Sequence, residues 1–182
     1  MTVTTRLLRA PCAYAVDVTP PYQNACMTER IPTAWAEVRL RLEQARNYWI
    51  VTHRPDGRPH AAPVWGVWLG GRLYFGTSPD AVKARNLVAD PRVAVHLESA
   101  DNLVIVEGTA ALTEDVARAD ELYAAKYVLP RTGERCGLPG PAWVVTPVIG
   151  HSWAEIAFPE TMTRWRFGPP GTDPAPEANS YE

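Results

Sequence analysis

The chain has 182 residues, 46% hydrophobic and 21% charged, with a net charge of −2. That length suits one domain with a sizeable core, and the slightly acidic balance argues against nucleic-acid binding, which wants a basic face. No apolar run approaches the roughly 20 residues that cross a bilayer, and the opening MTVTTRLLRAPCAYAVDVTPP lacks a secretory core and cleavage site. No membrane partner and a cytoplasmic location are therefore expected.

Three cysteines, Cys12, Cys26 and Cys136, are an odd number without metal-type spacing, and they read as reduced thiols. Residues 1–30 carry no sustained period and hold Pro11, Pro20 and Pro21, so a poorly ordered arm is expected. Met27 precedes a stretch that reads like a natural start. Residues 1–26 are accordingly expected to be dispensable for folding and ligand binding.

Thr33 to Arg46 places Trp35, Val38, Leu42 and Ala45 on one helical face, with Thr33 as the cap. The period then changes to two. Tyr48–His53 and Pro59–Leu69 are predicted strands joined at Pro55-Asp56-Gly57, and Gly70-Gly71 turns the chain into Arg72–Thr77. Ser78 is placed to cap a helix from Pro79 to about Ala89, ended by Asp90-Pro91.

Arg92–Glu98 and Leu103–Leu112 alternate as strands around a turn at Asn102. A helix is predicted from Glu114 to about Tyr127. The Gly- and Pro-rich stretch Leu129–Pro141 has the length of a lid or an insertion. Trp143–Ile149, Ser152–Phe158 and Met162–Phe167 are three further strand candidates. The Pro-rich, acidic tail, residues 169–182, is expected to be disordered. About eight short strands joined by tight turns, with two or three short helices, predict a mainly β, closed antiparallel barrel over residues 31–168.

The chain holds no GxGxxG after a strand, no Walker loop and no GxSxG elbow. None of the four histidines has a metal-ligand companion at helical spacing, so no metal is expected. No acid–base constellation stands out, and no catalytic residue is assigned. The positive signal lies in Pro59–Leu87. Thr77 and Ser78 sit where a strand meets a helix, and Lys83 follows. Helix-start N–H groups, a hydroxyl and an ammonium suit a phosphate, with Arg85 or Asn86 as further donors. The bland alternative is that Ser78 merely caps the helix while Lys83 and Arg85 are solvated. Trp65 and Trp68 are three apart, so they face opposite sides of a strand and one of them could face a ligand.

The run WIVTHRPDGRPHAAPVWGVWLGGRLYFGTSPDAVKARNLVADPRVAVHLES, with VIVEGTA and TRWRF further on, resembles the pyridoxamine 5′-phosphate oxidase-like split β-barrel family. The branch it is most similar to is the flavin/deazaflavin oxidoreductases. The resemblance implies a Greek-key split barrel and a homodimer with two cofactor sites at its interface. It implies FMN or the deazaflavin coenzyme F-420 as cofactor. By the same resemblance Pro63, Val64 and Trp65 line the ring system, Thr77, Ser78 and Lys83 hold the phosphate, Arg85 and Asn86 lie nearby, and Trp153 and Arg164 contribute from the later strands.

Two departures bear on activity. Ala62 and Val82 stand where the oxidases carry cations, and Thr161-Met162-Thr163-Arg164-Trp165 replaces their substrate-phosphate motif. The expectation is hydride transfer between bound F-420 and a small organic acceptor, with solvent, Tyr123 or Tyr127 supplying a proton. An FMN-dependent reductase or oxidase, and a non-catalytic carrier or sensor, remain the alternatives.

Overall fold

The computed structural model describes residues 31–177. The arm at 1–30 lies outside the described residues, as do residues 178–182 of the tail. The elements are α1 (Trp35–Gln44), β1 (Asn47–His53), β2 (Pro59–Leu69), β3 (Arg72–Gly76), α2 (Val82–Ala89), β4 (Arg92–His96), β5 (Asn102–Thr113), α3 (Ala117–Lys126), β6 (Ala142–Ala154), β7 (Thr163–Arg166) and β8 (Ala175–Glu177).

The sheet order is β3-β2-β1-β4-β5-β6-β7-β8, and β3 also pairs with β6. Six antiparallel strands therefore close into a barrel. The order β3-β2-β1-β4, with the fourth strand returning beside the first, is a Greek key. Turn chemistry sets the hairpins. Gly57 at φ 82° and Gly70 and Gly71 at 58° and 76° take conformations that a side chain disfavours.

Strand alternation fills the barrel. Tyr48, Ile50, Val64, Trp68, Leu73, Phe75, Val93, Val95, Val104, Val106, Trp143 and Val145 share one buried cluster. Each such apolar side chain contributes roughly 1.5–3 kcal/mol by leaving water. The helices close the two ends. Val38 and Leu42 of α1 join this cluster, and the Leu42 carbonyl accepts the Tyr48 hydroxyl at 2.5 Å. Ala84 and Leu87 of α2 join it too, and Asn86 of α2 donates to Thr52 Oγ1 at 2.9 Å. Tyr48 and Thr52 lie at opposite ends of β1, so α1 and α2 plug opposite mouths. The third helix packs outside, where Ala119, Tyr123 and Tyr127 meet Val67, Tyr74 and Val144.

Three expectations need correction. The two strands foreseen either side of Gly150 are one 13-residue strand, β6. It serves both the barrel and the β7–β8 extension. Its passage is helped by a register shift at Glu107/Gly108, opposite Pro147. The 129–141 loop is pinned rather than lid-like: Cys136 N–H bonds the Tyr127 carbonyl, Leu138 N–H bonds Asp120 Oδ1 at 2.6 Å, and Pro139 presses on Gly76. The tail forms β8 on β7, and Trp35 Nε1 donates to Asp173 at 2.9 Å, so residues 169–177 carry defined contacts. Among the described residues, no helix is long and apolar enough to cross a membrane.

Candidate cofactor site

The phosphate end starts where β3 leaves the barrel. Ser78 does not cap α2. The N-cap is Ala81, without a side-chain bond, and α2 begins at Val82 rather than Pro79. Ser78 Oγ instead accepts Asp80 N–H at 3.2 Å, and the Ser78 carbonyl accepts Ala81 N–H at 3.0 Å. This local turn swings the chain from β3 into the helix. The first helical bond runs from Arg85 N–H to the Ala81 carbonyl, so the N–H groups of Val82, Lys83 and Ala84 precede the ladder. Thr77 and Lys83 are half-buried and Ser78 is exposed. Asp80 brings one negative charge to the same turn.

Lys83 has company that spacing did not reveal. His60, near the start of β2, has a buried Nδ1 with no hydrogen-bond partner. Burial lowers its pKa below the usual histidine value, and the positive charges of Arg54 and Lys83 lower it further. The two positive charges felt at His60 make this end of the barrel favourable to an anion. Sequence reading missed His60 and Arg54 because their neighbour Lys83 arrives on a different element.

Asn86 and Arg85 take other roles. Asn86 is 2% exposed, and its amide is spent on Thr52, whose hydroxyl lies 3.4 Å from the His60 carbonyl. That chain fixes α2 against β1 and β2, so Asn86 positions the cradle from behind. Arg85 is exposed and donates to the Asp80 carbonyl, which braces the turn.

The ring end lies farther along β2. Pro63 and Trp65 point outward and are exposed, whereas Val64 points into the core at 6% exposure, so its side chain faces away from any ring held outside. Trp65 is 37% exposed. One face is occupied: its ring lies 4.7 Å from that of Tyr127, tilted by only 4°. The guanidinium of Arg46 sits 5.9 Å from the Trp65 centroid and 5.8 Å from that of Tyr127.

The two tyrosines considered as proton donors are buried. Burial, followed by Tyr127, pushes Tyr123 up to about 12. Burial also raises Tyr127, whose hydroxyl accepts Gly66 N–H at 2.8 Å and lies 2.5 Å from the Arg46 carbonyl. Both are structural.

Trp153 and Arg164 lie elsewhere on the sheet. Trp153 pairs with Leu103 and contacts Phe158, and Arg164 forms an ion pair with Glu177 at 3.3 Å. Strand β3 joins β2 to β6 only at Ala142–Val145, and Trp153 lies eight residues further along β6, opposite Leu103. Around the sheet from β2 to β7, Trp49, His96, Ile105, His151 and Arg164 are half-buried. The registers align Pro63, Trp49, His96, Ile105, His151 and Arg164 in one transverse row, with Trp49 and His96 stacked 6.0 Å apart.

Residues 34–142 match the pyridoxamine 5′-phosphate oxidase family. The chain belongs to that family. No curated protein matches it. Among solved structures, a heme-binding protein from Mycobacterium smegmatis is similar at 22% identity and a TM-score of 0.56. The match covers 75% of this chain and 59% of the other, so this chain spans little more than half of that protein. A conserved hypothetical protein from Mycobacterium tuberculosis matches at 24% identity and a TM-score of 0.54, covering 71% and 91%. A pyridoxamine 5′-phosphate oxidase-related, FMN-binding protein from Nostoc punctiforme matches at 14% identity and a TM-score of 0.54, covering 81% and 93%. At these identities the likeness establishes the split-barrel fold of the oxidase family.

Proposed function

We propose that the protein is an oxidoreductase that moves hydride between bound coenzyme F-420 and a small organic acceptor, in the cytoplasm. The observation that carries this reading is the start of α2, where the N–H groups of Val82, Lys83 and Ala84 precede the helical ladder and Lys83 forms no ion pair among the described residues, a short way along the chain from a strand that exposes Pro63 and Trp65. His60 pairs with the buried Thr52 and shares the inner face of β2 with Val64, so it backs the anion site, while Pro63 and Trp65 present the outer face to a ring.

When bound, a deazaflavin supplies the redox chemistry, passing two electrons and one proton to the acceptor as hydride. The chain's own residues bind and orient it. Thr77, Ser78, Lys83 and Arg54 hold the phosphate, His60 backs it, Asn86 fixes the helix that carries Lys83, and Trp65 supports the ring. Solvent provides the acceptor's second proton, since Tyr123 and Tyr127 are committed to the fold. We further propose a homodimer, in which the row from Pro63 to Arg164 is covered by a second copy and Trp153 and Arg164 of one protomer approach the ring held by the other.

FMN is the second reading, favoured by the FMN-binding Nostoc protein among the fold neighbours. Weighing against it, Ala62 and Val82 provide no cations where the oxidases have them. Purification from a host lacking F-420 separates the two. A colourless protein that quenches the fluorescence of added F-420 supports the first reading. A yellow protein with a flavin absorbance band supports FMN.

A further inference from the structure

We propose that a groove beside Trp65 binds a planar organic acceptor through its carboxylate, with Arg46 as the recognising group. This deepens the oxidoreductase reading, on which it rests, by naming the chemical class of the acceptor.

The groove has a volume of about 520 Å³, which suits a small organic molecule. It lies where the end of α1 meets the ends of β1, β4 and β5, and Arg41, Arg46, Asn47, Glu98, Ser99 and Asn102 are among its walls. Its carboxylates are engaged. Glu37 pairs with Arg41 Nη2 at 2.5 Å, and Glu98 accepts from Asn47 Nδ2 at 3.1 Å. Two arginines balance its two glutamates, but one of the cations is uncommitted. Among the described residues Arg46 forms no ion pair. Arg41 is committed to Glu37 and its Nη1 is buried, so Arg46 is the guanidinium left to receive a ligand. A guanidinium presents a planar fork that matches a carboxylate through two parallel bonds.

Position ties the groove to the ring end. Arg46 both lines the groove and sits over the Trp65 ring. Asn47 pairs with Trp65 across β1 and β2. A planar acid with its carboxylate on Arg46 would therefore lie beside the exposed part of Trp65. A site built to bond a charged group rejects the uncharged analogue, because its own polar groups are then left unpaired.

The test titrates the full chain, with and without saturating F-420 or FMN, using trans-cinnamate and its neutral isostere trans-cinnamamide, followed calorimetrically. The acid should bind at least about tenfold more tightly than the amide. Arg46→Gln should abolish that preference and Arg46→Lys should keep part of it, with thermal unfolding checking that each variant folds. Lys83→Ala should leave it unchanged. Equal binding of acid and amide, failure of both to bind at millimolar concentration, or a preference that survives Arg46→Gln would overturn the proposal. So would a preference lost in Lys83→Ala, which would put the carboxylate in the phosphate cradle. If neither F-420 nor FMN binds but the Arg46-dependent preference remains, the cofactor reading fails and the carboxylate site stands.

Discussion

Trp65 lies flat on Tyr127, with ring centroids 4.7 Å apart and planes within 4°. The partner is fully buried, and its hydroxyl is the acceptor for the Gly66 N–H, the residue next to Trp65. The exposed aromatic that marks the ring end is therefore held from beneath by a residue just past α3. Tyr127→Phe should retain the stack but leave the buried Gly66 N–H unpaired, costing about 1–3 kcal/mol. Urea unfolding measures this, while cofactor affinity should change little. Tyr127→Ala should lose both stability and affinity. A Phe variant as stable as the native chain would mean that Gly66 finds another acceptor.

Lys83 is the most direct test of the phosphate end. It is half-buried on the first turn of α2, with no ion pair among the described residues. Lys83→Ala should weaken cofactor binding by on the order of 1.5–3 kcal/mol, the range of a charge-assisted contact. Fluorescence titration with F-420 or FMN gives the number. Unchanged affinity would remove Lys83 from the site.

His60 adds a pH signature. Burial, Arg54 and Lys83 hold its pKa below the usual value in the free protein, so it is neutral near pH 7. An anion bound beside it would raise that pKa. Binding then takes up a proton, and affinity should strengthen as pH falls from about 8 toward 6.5, a range in which the F-420 phosphodiester keeps one negative charge and an FMN monoester stays mostly dianionic. His60→Gln should flatten the profile. Parallel profiles for the native chain and the variant would exclude His60.

The barrel was legible because its signals are local. Turn glycines, alternating strands and the prolines at 59 and 91 stand next to the features they create. Gly150 misled for the same reason. It resembles a break, yet Trp165 and Phe167 pack where its side chain would be, and the strand runs through. At the site, Thr77, Lys83 and Trp65 were visible along one continuous stretch. Three assignments needed the fold. Val64 sits between two outward residues and so faces the core. Asn86 turns inward to Thr52, 34 residues away, and His60 feels the Lys83 charge because α2 packs over that barrel mouth. Arg46 showed no motif at all; its position over Trp65 depends on the pairing of β1 with β2.

Gly76 links the site to the pinned loop. A Cβ there would stand 2.2 Å from the Pro139 carbonyl oxygen and 2.7 Å from its Cδ. Such contacts force the loop off the end of β3, immediately before Thr77. Gly76→Ala should cost about 1–3 kcal/mol, as overpacking does, and should weaken cofactor binding in parallel. Chemical denaturation and a cofactor titration on the same variant test both. A full-affinity, fully stable variant would show that the loop shifts freely.

Lys126 gives a stability test independent of any ligand. Its ammonium donates to the Gly66 carbonyl at 2.7 Å and lies 4.9 Å from the Tyr48 ring centroid. Burial, then the charge of Arg46, brings its pKa down from 10.5 to about 8. A lysine with a lowered folded-state pKa is neutral more readily in the fold than in the unfolded chain. Below pH 8 it is charged in both states. As pH rises from about 8 toward 10.5, the fold sheds this proton first and gains stability. Above about pH 10 the gain is opposed, because the buried tyrosines Tyr48, Tyr123 and Tyr127 resist ionising in the fold. The native chain should therefore become more stable toward urea between about pH 8 and 10. Lys126→Gln, which keeps a donor for Gly66, should not. An identical rise in the variant would assign that titration to another group.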